Sequence, residues 1–163
     1  MNKKFFQKNY SCKIHVIQIF TAIFLLTSLF SLDCRGQNTI IASFNKKKVF
    51  LEIADTYEKK IKGLMGRENL DENAGMIFLF NPAQKVGFWM KNMKIPLDMV
   101  FIKDQKIVKM YNNVPVCTNV PCPIYPSENE VDTVIELKAG FCQKYHLKTG
   151  QKVKVEKSVK KMQ

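Results

Sequence analysis

Four charged side chains stand where their neighbours are apolar or turn-forming: Arg67, Lys91, Asp98 and Glu136. A buried charge is costly unless it is paired, so each must meet a partner or face a wet cleft. Two arrangements meet that demand. In one, Arg67 pairs with Asp98 or Glu136 and fixes the fold. In the other, Trp89 offers a flat face to a polar cleft in which Lys91, Asn92 and Asp98 supply hydrogen bonds. Trp beside polar groups suits a sugar or a small anion. Asp98 and Glu136 are also two carboxylates, the minimum for general acid–base chemistry in a hydrolase or transferase.

Soft ligands and nucleophiles are the next candidates. Met65, Met76, Met90, Met93, Met99 and Met110 are many thioethers for a small domain. Met90-x-x-Met93 has a spacing that would interest Cu(I), and a copper-binding accessory role follows from it. In or just after a strand, however, residues three apart face opposite ways, and core packing is the simpler role. Cys117 and Cys122 flank a short loop containing Pro121, and a turn there brings their Cα atoms to ~5.5 Å, as a disulfide needs. So short a ring stiffens locally and adds little global stability. Cys142 is the odd thiol, expected to be buried and inert. The histidines are His15 and His146. With only His146 outside the leader described below, His₂ and His₃ metal sites are excluded there. Cys142 and His146 lie i,i+4 and share a face if helical; a buried thiol with an exposed imidazole is the expected outcome. No cofactor is implied.

The elements that must position these residues are short. Thr39–Phe44 and Val49–Ala54 read as strands around a Lys46-Lys47-Lys48 turn. Asp55 with Glu58 makes a capping-box-like start to a helix whose apolar face is Tyr57, Ile61, Leu64 and Met65, with Gly66 as its stop. Gly75–Phe80 is a strand broken by Asn81-Pro82, and Val86–Lys91 its hairpin return. Leu97–Lys103 and Ile107–Tyr111 form a second hairpin around Asp104-Gln105. The stretch 112–129 holds four of the six prolines and reads as a long ordered loop. Val131–Leu137 is a strand, Ala139–His146 a short helix and Lys152–Val155 a last strand, with Val153 and Val155 inward. The tail from Lys157 frays. Many short strands with two short helices predict a mostly β (α+β) fold: a small closed or partly rolled β-barrel.

Lys3, Lys4, Lys8 and Lys13 precede an apolar run from Val16 to Leu32, the order of a secretory leader. The run reaches the shortest membrane span of ~17 residues, so a retained anchor competes with cleavage. Cys34-Arg35-Gly36 offers small residues at the two positions read by a signal peptidase, releasing a chain that starts at Gln37. Lipidation of Cys34 is the second alternative, disfavoured by the large Asp33 before it. In each case residues 37–163 form one domain outside the cytoplasm, with the N-terminal lysines inside. The expected location is therefore the periplasm or cell envelope, with membrane contact only through the N-terminal segment. The net charge of +12 could meet nucleic acid, anionic lipid or an acidic polymer. It is spread along the chain and reads as a solvated face. The lack of a phosphate-cradling glycine loop or recognition motif, together with export, argues against nucleic acid.

Further residues fall into a familiar order: Gly63-Leu64-Met65 with Arg67, Gly75-Met76 with Phe78, Phe88-Trp89-Met90-Lys91-Asn92, Ile95-Pro96-Leu97-Asp98, Glu136-Leu137 with Ala139-Gly140, then Gly150. In this order and spacing, from about Val49 to Val155, the chain resembles the family known as domain of unknown function 192. The resemblance implies a compact β-barrel-like fold with short helices and no assigned activity. Two positions depart from it: Met93, where a small hydroxyl residue is more usual, and the Asp104-Gln105 tip, which lacks a glycine and so predicts a type I turn. The functional expectation is a non-enzymatic envelope module that binds a small polar ligand or envelope component through the Trp89–Asp98 region. The alternatives are the Asp98/Glu136 hydrolase or transferase and the Cu(I) protein.

Overall fold

A computed structural model describes residues 39–157. The leader with its three alternative fates, and the tail beyond it, lie outside the described residues.

β1 (Thr39–Phe44) and β2 (Lys47–Ala54) form an antiparallel hairpin that turns at Asn45, a residue with φ 56°. α1 (Tyr57–Lys62) then begins a crossover to β3 (Ala74–Gln84), which lies parallel to β2. A parallel pair cannot be joined by a tight turn, and the crossover from 55 to 73 carries Gly63, Met65 and Arg67 across the sheet. β4 (Gly87–Trp89) follows, then the hairpin of β5 (Leu97–Lys103) and β6 (Lys106–Val114). β7 (Ile124–Pro126) pairs with β4 as a separate two-stranded sheet. β8 (Val131–Lys138) inserts between β3 and β5, α2 (Phe141–Lys144) follows it, and β9 (Val153–Lys157) pairs with β1.

The main sheet therefore has the order β6-β5-β8-β3-β2-β1-β9. Its two edges approach each other. The Ile107 N–H donates to Gln151 O at 2.9 Å, the Gly150 N–H to Ile107 O at 2.7 Å and the Val153 N–H to Gln105 O at 2.8 Å. The result is a mostly β, partly rolled barrel with two short helices. Its central strands are buried on both faces, which is why β5 reads as an unbroken apolar run apart from Asp98. One face packs Val49, Leu51, Val100, Ile102, Ile135 and Leu137 against Phe141 of α2. The other packs Met76, Phe78, Met99, Phe101 and Val134 under Leu64 and Met90.

Several local expectations are corrected. Thr56, not Asp55, caps α1, its side chain accepting from the Lys59 N–H, and the helix stops at Gly63 rather than Gly66. Tyr57 and Ile61 are 75% and 47% exposed, so within α1 the periodic face does not point into the core, which only Leu64, past the helix end, enters. β3 does not end at Asn81-Pro82; it continues through a register shift to Gln84. β4 is no hairpin return, because β7, from within the proline-rich stretch, takes its ladder. At the Asp104-Gln105 tip both residues have positive φ, 49° and 61°. That is the mirror-turn geometry matching strand twist, and the Asp104 N–H is held by Asp132 Oδ2 at 2.7 Å.

Candidate functional site

Strand register decides which chemistry-bearing residues can meet. Glu136 lies opposite Met76 on β3 and Met99 on β5, whereas Asp98 lies opposite Leu137. Adjacent residues of a strand face opposite ways, so Asp98 and Glu136 are on opposite faces of the sheet. The acid–base pair expected from their types is not formed, and the hydrolase or transferase built on it loses its geometry.

Asp98 is wholly buried and fully engaged. Its Oδ1 accepts from the Asn113 N–H at 2.7 Å and the Gly140 N–H at 3.1 Å, and its Oδ2 from the Cys142 N–H at 2.7 Å. It thus answers orphan donors at the start of α2 and ties that helix to the end of β6. Neither does Arg67 pair with Asp98 or Glu136. Its Nη1 and Nη2 donate to Glu52 Oε1 and Oε2, both at 2.6 Å, a fork-to-fork geometry. Glu52 was not singled out among the charged residues, because a Glu at a strand position flanked by Leu51 and Ile53 reads as an outward-facing residue. Across the sheet Glu52, Met76 and Glu136 are register neighbours, which brings the Arg67–Glu52 pair to the same face as Glu136.

Glu136 is 5% exposed, and its Oε2 has no hydrogen-bond partner among the described residues. Burial pushes its carboxyl up to about 8, partly offset by the positive field of Arg67. At neutral pH it is mostly a neutral acid. It lies at a cleft of about 510 Å³ between α1 and the β4–β7 sheet. The walls are aromatic: Tyr57, Phe78, Phe80, Phe88 and Trp89. Gly63 stands beside the carboxyl; a Cβ there would lie 3.5 Å from Oε2 and 3.6 Å from Phe78 Cζ. Its φ of 48° and ψ of −133° belong to a region that only glycine adopts at low cost. Gly75 supports the same spot from behind, since a Cβ on it would stand 2.4 Å from Glu136 O.

Of the residues read from sequence as a ligand site, two line this cleft, Trp89 and Glu136. Trp89 is 44% exposed at the rim. Lys91 and Asn92 are exposed and do not line it. The Lys91 ammonium lies 5.4 Å from the Trp89 ring centroid, and Asn92, at φ 56°, contributes its backbone oxygen to the Gly66 N–H at 3.0 Å. The cleft residues missed by sequence reasoning are Tyr57, Lys60, Ile61 and Phe80. For Tyr57 and Ile61 the signal is the periodic apolar face of α1, whereas Lys60 lies on the polar side of that helix and Phe80 on β3.

Of the methionines, Met76, Met90 and Met99 are buried in the core, while Met65 and Met93 touch the cleft. Met90 and Met93 lie in a turn after β4, where the Met93 N–H donates to Met90 O at 3.3 Å. Cys117 and Cys122 are bonded at 2.06 Å, with Cα atoms 5.7 Å apart. Cys142 is free and buried; burial, reinforced by Asp98, pushes its thiol far above the usual range, and His146 is exposed.

Residues 39–155 match the family DUF192, described as Uncharacterized ACR. Solved structures similar to the chain include the following two. A Sinorhizobium meliloti protein described provisionally as a transcription regulator shares 27% identity at a TM-score of 0.65, covering 73% of this chain and 93% of that one. A protein of unknown function from Novosphingobium aromaticivorans shares 29% identity at a TM-score of 0.63, covering 71% and 83%. No curated protein is significantly similar to the chain.

Proposed function

The chain belongs to the DUF192 family, and from that premise we propose that it is an exported, non-enzymatic module of the cell envelope that holds a small ligand in the cleft between α1 and β4. The ligand has an apolar body, which lies on the aromatic walls, and one polar group, which reaches Glu136. One observation carries this reading: a carboxyl oxygen is buried and unpartnered in an aromatic cleft. A buried polar atom left without a partner costs about 1–3 kcal/mol, and a ligand that supplies the partner recovers that cost. This refines the expectation of a site running from Trp89 to Asp98. Trp89 remains, Glu136 replaces Asp98 as the polar contact, and Lys91 acts only from over the Trp89 ring.

Export is part of the proposal and rests on the lysine-then-apolar leader and on the Cys117–Cys122 bond, which favours an oxidising compartment. A role as a transcription regulator acting on DNA is not adopted from the provisional description of the Sinorhizobium meliloti protein as a transcription regulator. The helices among the described residues have six and four residues, too short to serve as a recognition helix in a major groove.

Trp89 is the only tryptophan, so its emission reports on the cleft without labelling. In a screen of small amphiphiles against the protein purified as the cell makes it, binders shift that emission and raise the melting temperature together. Ile61→Asp, which puts a charge on the rim, abolishes both responses. A screen in which melting shifts occur without any change in Trp89 emission places the ligand elsewhere and ends the proposal.

A further inference from the structure

Resting on the reading of the cleft as a ligand seat, we infer that the polar group brought to Glu136 is an ammonium on a short apolar stem, that is, a primary or methylated amine. Glu136 is a potential negative charge with no cation committed to it among the described residues. Arg67, the cation that acts on it through space, has both guanidinium nitrogens held by Glu52 at 2.6 Å. A carbonyl ligand would accept a bond from the protonated acid and leave the acid's own acceptor oxygen unanswered, whereas an ammonium brings up to three donors.

The walls agree with a cation. Aromatic ring faces attract ammonium groups electrostatically, and two rings of this cleft already carry ammoniums of the chain itself: Lys60 lies 4.8 Å from the Phe80 centroid and Lys91 5.4 Å from the Trp89 centroid. Gly63 leaves open the space between Phe78 and the carboxyl that a side chain would occupy. The lysines at the mouth do not close the site to cations. The Lys60 ammonium is turned to Leu79 O at 2.8 Å, and salt screens exposed charges over about 8 Å.

The titratable groups facing the cleft besides Glu136 are Tyr57, Lys60 and Lys62, with Arg67 acting from its pair with Glu52. Trp89 emission is titrated with hexylammonium, hexanol and Nα-acetyl-lysine amide at about pH 7 and about pH 9. With the Glu136 carboxyl at about 8, hexylammonium binds about tenfold tighter at the higher pH, as the carboxylate fraction rises and the amine stays charged. It also binds about tenfold tighter than hexanol. Glu136→Gln abolishes the preference and the pH response with an unchanged circular dichroism spectrum; Glu156→Gln, which removes an exposed carboxylate outside the cleft lining, retains both. Binding of the lysine amide alongside hexylammonium identifies a lysine side chain as a natural source of the group, and its exclusion identifies free amines; either result supports the assignment. Hexanol matching hexylammonium at both pH values, or a preference that survives Glu136→Gln, overturns the ammonium and leaves the cleft standing. Failure of all three compounds to move Trp89 emission removes the cleft reading itself.

Discussion

Glu136 costs the fold something. Its carboxyl is raised from the ordinary 4.5 to about 8 by burial, so the folded chain keeps a proton that the unfolded chain has released. Its contribution to stability is complete below about pH 4.5 and is lost as pH rises through about 8, a loss on the order of several kcal/mol for a fully buried acid. Glu136→Gln removes that liability while preserving shape. The melting temperature of the wild type is expected to fall between about pH 6 and about pH 9, and that of Glu136→Gln to fall much less. Thermal melts across this range check it, and parallel curves for the two proteins would show that Glu136 is not held neutral. Such a cost is typical of functional positions, where local stability is given up for chemistry.

Asp98 is the opposite case, a charge that the elements around it use completely. It joins β5, the end of β6 and the start of α2 through three backbone N–H groups. Asp98→Ala strands those donors in the core, and the expected loss is on the order of 4 kcal/mol, read as a shift of the urea midpoint. Ligand binding by the protein that remains folded is unchanged, because Asp98 lies on the face away from the cleft. At this scale the sequence was informative where period and chemistry agreed. The β5–β6 hairpin, β8 and the Cys117–Cys122 bond were all legible from apolar runs, the position of the turn and loop length. It was misleading where a non-local partner decided. Tyr57 and Ile61 have a core-like helical period, yet they rim a cleft. β4 looks like the return of β3 because β7 is hidden among prolines. Which of Asp98, Glu136 and Glu52 would meet Arg67 depends on strand register, which residue types alone do not specify.

In the molecule as a whole, a sheet rolled until its edges touch has faces to cover on both sides. α2 and the hairpin of β1 and β2 close over one face. The crossover after β2 and the small β4–β7 sheet close over the other, incompletely. An aromatic chain of edge-to-face contacts, Phe78–Phe88–Phe101–Tyr111–Tyr125, fixes the small sheet to the main one. The gap left between that sheet and α1 is the cleft, and among the described residues Glu136 is the one buried acid that meets it. The most direct test is a carbon-13 NMR titration of the Glu136 side-chain carboxyl, with and without hexylammonium. The account predicts a midpoint near 8 in the free protein and a clear downward move when the amine is bound. A midpoint near the ordinary 4.5, unmoved by the amine, would contradict it.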